Sequence, residues 1–212
     1  MSPAFRLQKI KNQIKIFKKD ITVVVVTKNR TLNDFETILA SGHLHFGENK
    51  VQEAIKKWSD IKRKSSKINL HLVGTLQRNK VKDAVRLFDY VHSLDSIRLA
   101  ESLKSEEVKQ SKKLRYFIQV NIGEEIQKGG IKITELSNLI NYCKSEPQLD
   151  IQGLMCIPPE QASPQDFFKK LKGLNDQHSF SDLSMGMSND YSVAITNGST
   201  FVRIGSAIFN DN

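Results

Sequence analysis

The sequence predicts a single (β/α)8 barrel of the TIM type, and three observations carry that expectation. Short apolar stretches with strand character recur eight times along the chain. Stretches with helical spacing of their apolar residues separate them. The whole alternation fits into 212 residues, which favours a closed barrel over a doubly wound sheet.

The first strand is expected at 22–27, where four consecutive valines supply the β-branched side chains that a pleated, buried surface favours. The others are expected at 44–46, 69–73, 90–93, 116–121, 151–157, 182–185 and 201–204. Helices are expected near 33–41, 49–64, 78–88, 96–110, 133–144, 164–177 and 189–197. Thr31 before Leu32 and Ser163 before Pro164 are helix-start signals. After the eighth strand only Ser206–Asn212 remain, too few for a full eighth helix. Leu7, Ile10, Ile14 and Phe17 fall on one face at helical spacing, so an N-terminal helix is expected to cover the gap between strands eight and one. No linker or repeat divides the chain, and residues 1–212 read as one domain.

Composition narrows the function classes. The chain is 39% hydrophobic and 26% charged, the profile of a globular protein. Apolar runs such as Val23–Val26 fall far short of the ~20 residues that span a bilayer, and the basic N-terminus lacks the apolar core of a signal peptide. No membrane association is expected, and cytoplasm is the default compartment. Cys143 and Cys156 form no CxxC pair, which argues against a disulfide framework or a cysteine zinc site. His43 and His45 have no further ligand at metal-binding spacing. The net charge is +9, concentrated in residues 1–80 with 17 basic and 6 acidic side chains. That favours polyanions or phosphorylated small molecules, but no aromatic platform accompanies it, so nucleic acid is not an expected partner. Monomer is the expected state.

Barrels of this type place their chemistry at the C-terminal ends of the strands. Lys28 follows the most apolar strand and is expected inside the mouth, where burial would favour the neutral amine that attack on an aldehyde requires. From position alone, a Schiff-base lysine and a strand-end lysine reaching solvent are equally consistent. Gly186, Ser188, Gly205 and Ser206 lie where the loops after strands seven and eight often hold phosphate. Arg203 and Gly205 share a face by the period of two, and closure sets strand eight beside strand one, which makes Arg203 and Lys28 expected neighbours. An amine, a phosphate cradle and an arginine in one mouth suggest pyridoxal 5′-phosphate.

Longer runs carry a resemblance. Val26-Thr27-Lys28, His45-Phe46-Gly47-Glu48-Asn49, His71-Leu72-Val73-Gly74-Thr75, Gln119-Val120-Asn121, Ser184-Met185-Gly186-Met187-Ser188 and Val202-Arg203-Ile204-Gly205-Ser206 occur in order over nearly the whole chain. The chain resembles the pyridoxal 5′-phosphate homeostasis protein family, single barrels akin to the alanine racemase N-terminal domain. The resemblance implies that Lys28 holds pyridoxal 5′-phosphate as an internal aldimine, that Ser188, Gly205 and Ser206 hold its phosphate, and that Arg203 faces the pyridine nitrogen. It places Asn49 near the ring, with Met185, His71 and Asn121 lining the pocket. It implies a role in balancing vitamin B6 pools, as a carrier or regulator without turnover, with apo pyridoxal phosphate enzymes as possible recipients. The chain departs from the family pattern after the lysine, where Asn29-Arg30-Thr31 lacks a proline that would stiffen the loop.

An amino-acid racemase is the second reading. A guanidinium only donates, so a pyridine nitrogen against it stays neutral and withdraws electrons weakly. Racemases with that arrangement add paired bases, one a tyrosine from a second domain; Tyr90, Tyr116, Tyr142 and Tyr191 all fall away from the expected strand ends. Glu48 and Glu53 read as surface partners of Lys50 or Lys57, and His71 reads equally well as a ring contact or a core residue.

Overall fold

The computed structural model describes residues 1–17, 20–146, 148–160 and 162–209. Its strands are β1 (Thr22–Val26), β2 (His45–Glu48), β3 (Asn69–Leu72), β4 (Tyr90–Leu94), β5 (Arg115–Gln119), β6 (Asp150–Met155), β7 (Asp182–Ser184) and β8 (Phe201–Ile204). They pair in parallel in sequence order, and β8 returns to β1 to close the barrel. The expected (β/α)8 architecture is therefore the observed one.

Helices α1 (Pro3–Lys15), α2 (Leu32–Ala40), α3 (Val51–Lys64), α4 (Val81–Leu87), α5 (Ile97–Gln110), α6 (Ile133–Ser145), α7 (Pro164–Gln177), α8 (Tyr191–Thr196) and the single turn α9 (Ser206–Phe209) surround it. Residues 78–80 form a 3-10 turn, so α4 starts three residues later than the periodicity suggests. Ser2 caps α1 by accepting from the Phe5 amide, and Pro3 occupies its first turn, where a missing N–H costs nothing. Leu7, Ile10 and Ile14 are buried, and α1 packs between α2 and α9. It stands in for the eighth helix, pinned where Arg6 Nε donates to the Ile208 carbonyl at 2.6 Å.

The strand pattern divides the core into two layers. Val23 and Val25 point outward into the large cluster between barrel and helices, while Val24 points inward. The inner cluster holds Val24, Val73, Tyr90, Phe117, Met155 and Phe201. Between these apolar side chains the barrel also encloses His71, His92, Ser184 and Arg203, each almost fully buried. Among the described residues, no helix is long and apolar enough to cross a membrane.

Candidate functional site

The site is built where β8, β1 and β2 end. Arg203 stands level with Val24, and Val26 with Gly47, so the inward positions of β1 rise through Val24 and Val26 to Lys28. Arg203 thus lies within β8 at the level of Val24, and Lys28 lies two residues past the end of the neighbouring β1.

Lys28 itself is exposed, not buried as expected. β1 stops at Val26, and the chain turns at once because Asn29 adopts φ +56°, a left-handed conformation asparagine tolerates. That turn leaves Lys28 exposed just past the C-terminal end of β1. The loop that lacks the family proline is held by side chains instead. The Asn29 amide donates to Glu53 Oε1 at 2.7 Å, Arg30 lies over the Phe209 ring at 5.2 Å, and the Thr31 amide donates to Asp34 Oδ2 at 2.6 Å.

Arg203 is 4% exposed. Its Nη1 donates to Ser184 Oγ at 2.7 Å and its Nη2 to the Cys156 carbonyl at 2.9 Å, which leaves further N–H donors on the same fork. Burial lowers its pKa from the ordinary guanidinium value, opposed by the Cys156 sulfur and the Asp190 carboxylate.

The loops after β7 and β8 are tied to each other through Ser188. Its Oγ accepts from the Ala207 amide at 3.1 Å and from the Gly205 amide at 3.4 Å, so its own proton is free to be donated. Ser206 is exposed beside it at the start of α9. Gly205 lies against β1, and a Cβ there would sit 3.3 Å from the Val26 carbonyl oxygen. Gly186 has φ +93°, and a Cβ on it would meet the Ala194 side chain at 2.5 Å. Glycine at these two positions lets the loops pack this closely against α8 and β1. Asn49 follows β2 beside this group. A Cβ on Gly74 would come within 2.4 Å of the Asn49 carbonyl, so glycine there allows the ends of β2 and β3 to meet.

A primary amine, a donor-only guanidinium and clustered amides and hydroxyls form a donor set that suits an aldehyde, a ring nitrogen and a phosphate. Pyridoxal 5′-phosphate fits the residues present.

Lys28, Asn49, Ser188, Arg203, Gly205 and Ser206 therefore gather at one end of the barrel. Met185 does not join them. Ser184 points inward to Arg203, so its neighbour Met185 points outward by the strand alternation and is fully buried in the layer between barrel and helices. Asn121 closes its own loop, donating to the Glu125 carbonyl at 2.8 Å and accepting from the Glu125 amide at 3.1 Å. His71 lies inside the barrel, stacked on Tyr90 at 4.2 Å. Glu48 is not a surface residue: it is fully buried, and its Oε1 accepts from Thr27, Lys57 and Trp58. His92 escaped the sequence reading, and Ser184 entered it only as part of a motif, with no role. The signal available was polar residues on the inward face of otherwise apolar strands.

The model of the alanine racemase N-terminal domain family matches residues 5–212. A pyridoxal phosphate homeostasis protein of Pasteurella multocida is 34% identical over 213 residues, spanning 96% of this chain and 91% of the relative. One from Aquifex aeolicus is 38% identical over 175 residues, spanning 78% and 76%. Among solved structures, PipY of Synechococcus elongatus with pyridoxal phosphate bound superposes with a TM-score of 0.90 at 30% identity, covering 99% of this chain and all of that one. The chain belongs to the pyridoxal phosphate homeostasis protein family, built on the alanine racemase N-terminal domain.

Proposed function

We propose that this protein binds pyridoxal 5′-phosphate at the open end of the barrel and takes part in keeping its supply in balance, as a carrier or regulator without turnover. The observation that carries this reading is the convergence of Lys28, Arg203 and the Ser188–Gly205–Ser206 cluster on neighbouring strand ends. The pyridoxal phosphate bound to PipY, at 30% identity over the full chain, supports it. When bound, the cofactor supplies an aldehyde that captures amines.

Each residue then has a role set by its chemistry. Lys28 offers the amine that would hold the cofactor covalently, and its exposure leaves it open to exchange with amines in solution. Ser188, Ser206 and the neighbouring amides bind the phosphate. Arg203 keeps its protons and presents only donors to the ring. Asn49 stands beside the ring edge.

Absence of turnover rests on the tyrosines, which could otherwise serve as a second base. Tyr90 is inside the barrel and accepts from Arg115 Nη1 at 2.8 Å. Tyr116 donates to buried Glu107 at 2.8 Å, Tyr142 to Glu101 at 3.1 Å and Tyr191 to Gln13 on α1 at 2.9 Å. Every phenol is engaged away from Lys28.

The test is incubation with pyridoxal phosphate, borohydride reduction and peptide mass mapping, alongside solvent-deuterium exchange into amino-acid substrates. The expected result is one reduced adduct on Lys28, none in Lys28→Ala, and no α-proton exchange. A protein that takes no label at Lys28 refutes the site, and α-deuterium incorporation refutes the absence of turnover.

A further inference from the structure

Three histidines stand in file inside the barrel, where side chains such as Val, Ile and Leu usually fill the layers. His45 Nδ1 lies 3.0 Å from His71 Nε2, His71 Nδ1 lies 2.9 Å from His92 Nε2, and His92 Nδ1 lies 2.8 Å from Ser184 Oγ. Ser184 Oγ is also the acceptor of Arg203 Nη1 at 2.7 Å. The file crosses the barrel interior from the partly exposed His45 on β2 to the guanidinium of Arg203 on β8. His71, His92 and Ser184 are wholly buried.

The direction of the bonds follows from one fact: a guanidinium cannot accept. Ser184 Oγ must accept from Arg203, and among the described residues its own proton then has one hydrogen-bond partner, His92 Nδ1. If His92 donated to Ser184 instead, the serine proton would be buried without an acceptor, which costs as much as a lost hydrogen bond. His92 therefore carries its proton on Nε2 and donates to His71 Nδ1. His71 in turn carries its proton on Nε2 and donates to His45 Nδ1. Every member is satisfied only when all bonds run the same way, from Arg203 outward.

We propose that Ser184 and His92 are positioning residues for the guanidinium, and that the His45–His71–His92 file is a directional hydrogen-bond chain holding Arg203 in one orientation toward the cofactor. The cofactor-facing half rests on the proposed pyridoxal phosphate site; the direction of the file does not. Deleting the serine hydroxyl would leave both Nη1 and His92 Nδ1 without their shared partner, and the guanidinium would keep only its Nη2 bond to the Cys156 carbonyl.

The surroundings support neutral rings. His92 stacks on Phe117 at 4.6 Å and feels the Arg203 charge, His71 stacks on Tyr90, and His45 is kept neutral by burial and the Arg115 and Lys11 charges against the opposing pull of Asp89. Burial pushes His71 and His92 well below the ordinary imidazole range.

Two measurements test this. The first is nitrogen-15 NMR of the histidine rings in the protein without added cofactor. His71 and His92 are expected as neutral Nε2–H tautomers; an Nδ1–H tautomer or an imidazolium at His92 at neutral pH overturns the direction. The second is pyridoxal phosphate uptake by Ser184→Ala. The expected result is a displaced absorption maximum of the Lys28 adduct and affinity weakened about tenfold, the loss of one hydrogen bond to a charged group. A variant with the original maximum and affinity overturns the positioning role. If the unaltered protein takes up no pyridoxal phosphate, the proposed function fails and the cofactor-facing half fails with it, while the ring nitrogens still decide the file.

Discussion

Lys57 and Glu48 form a buried ion pair at 2.8 Å that is fastened to the backbone on both sides of Lys28. Lys57 Nζ also donates to the Thr27 carbonyl at 2.6 Å, and the Thr27 hydroxyl donates to the same Glu48 oxygen at 2.6 Å. On the far side, Lys57 bonds Glu53 at 3.0 Å, and Glu53 accepts the Asn29 amide. The residues flanking Lys28 are therefore held by side chains of β2 and α3, while Lys28 itself is exposed.

Removing one partner of this pair would leave the other buried and unmatched, which costs about 3–5 kcal/mol. Lys57→Met is expected to lower unfolding stability by that amount in urea. The sole tryptophan reports the site directly, since Trp58 Nε1 donates to Glu48 Oε1 at 2.9 Å. Its emission in the folded variant is expected to shift. A loss below about 1 kcal/mol would place the pair with ordinary surface bridges.

Two glycines give opposite expectations. A Cβ on Gly153 would lie 1.8 Å from the Asp182 carbonyl oxygen, a contact between paired backbones of β6 and β7 that no rotamer relieves. Gly153→Ala is expected to cost about 3 kcal/mol or more. Gly173 lies exposed within α7 with nothing near its absent Cβ, so Gly173→Ala is expected to stabilise by about 0.5–1 kcal/mol. Thermal midpoints moving in opposite directions check both; a harmless Gly153→Ala contradicts the β6–β7 register.

How far the sequence could be read depends on the range of the forces involved. β8 was expected at 201–204 and is found there, because Gly198 and Gly205 punctuate it locally. β2 was expected to stop at Phe46 and runs to Glu48. A glutamate reads as the end of a strand until Thr27, Lys57 and Trp58 surround it, and those partners come from other elements. The location of Lys28 was legible from the valine run, but its exposure depends on the Asn29 turn. Met185 was assigned to the pocket as part of a motif, whereas alternation from Ser184 sends it outward. The histidine file was out of reach, since barrel closure alone brings β2, β3, β4, β7 and β8 together.

The cysteines are expected to be inert in the folded protein. Cys143 and Cys156 are fully buried, and burial pushes both thiols up to about 12. Reaction requires thiolate and access, and the fold withholds both. A thiol reagent at pH 8 is expected to label neither until denaturant is added, after which both react. Fast labelling of either one without denaturant would show local opening of its packing.

Acid should weaken the fold well before its carboxylates titrate. Burial, with the nearby Lys11 charge, pushes His43 down to about 4 from an ordinary 6.5, and burial also holds His71 and His92 well below the ordinary imidazole range. A base whose folded pKa is depressed binds its proton more readily when unfolded. Between pH 6.5 and 4 the unfolded chain therefore carries more protons, and stability rises with pH across that window. The contribution is complete above about pH 6.5 and is lost as pH falls towards 4. At pH 5 His43 alone accounts for about 2 kcal/mol of loss, with His71 and His92 adding in the same sense. Asp95, whose carboxyl burial raises, works in the opposite sense. Urea midpoints at pH 7.5 and pH 5 are expected to differ by several tenths molar or more, and His43→Leu is expected to narrow that gap. Equal midpoints at the two pH values would mean that these imidazoles are not held neutral in the core.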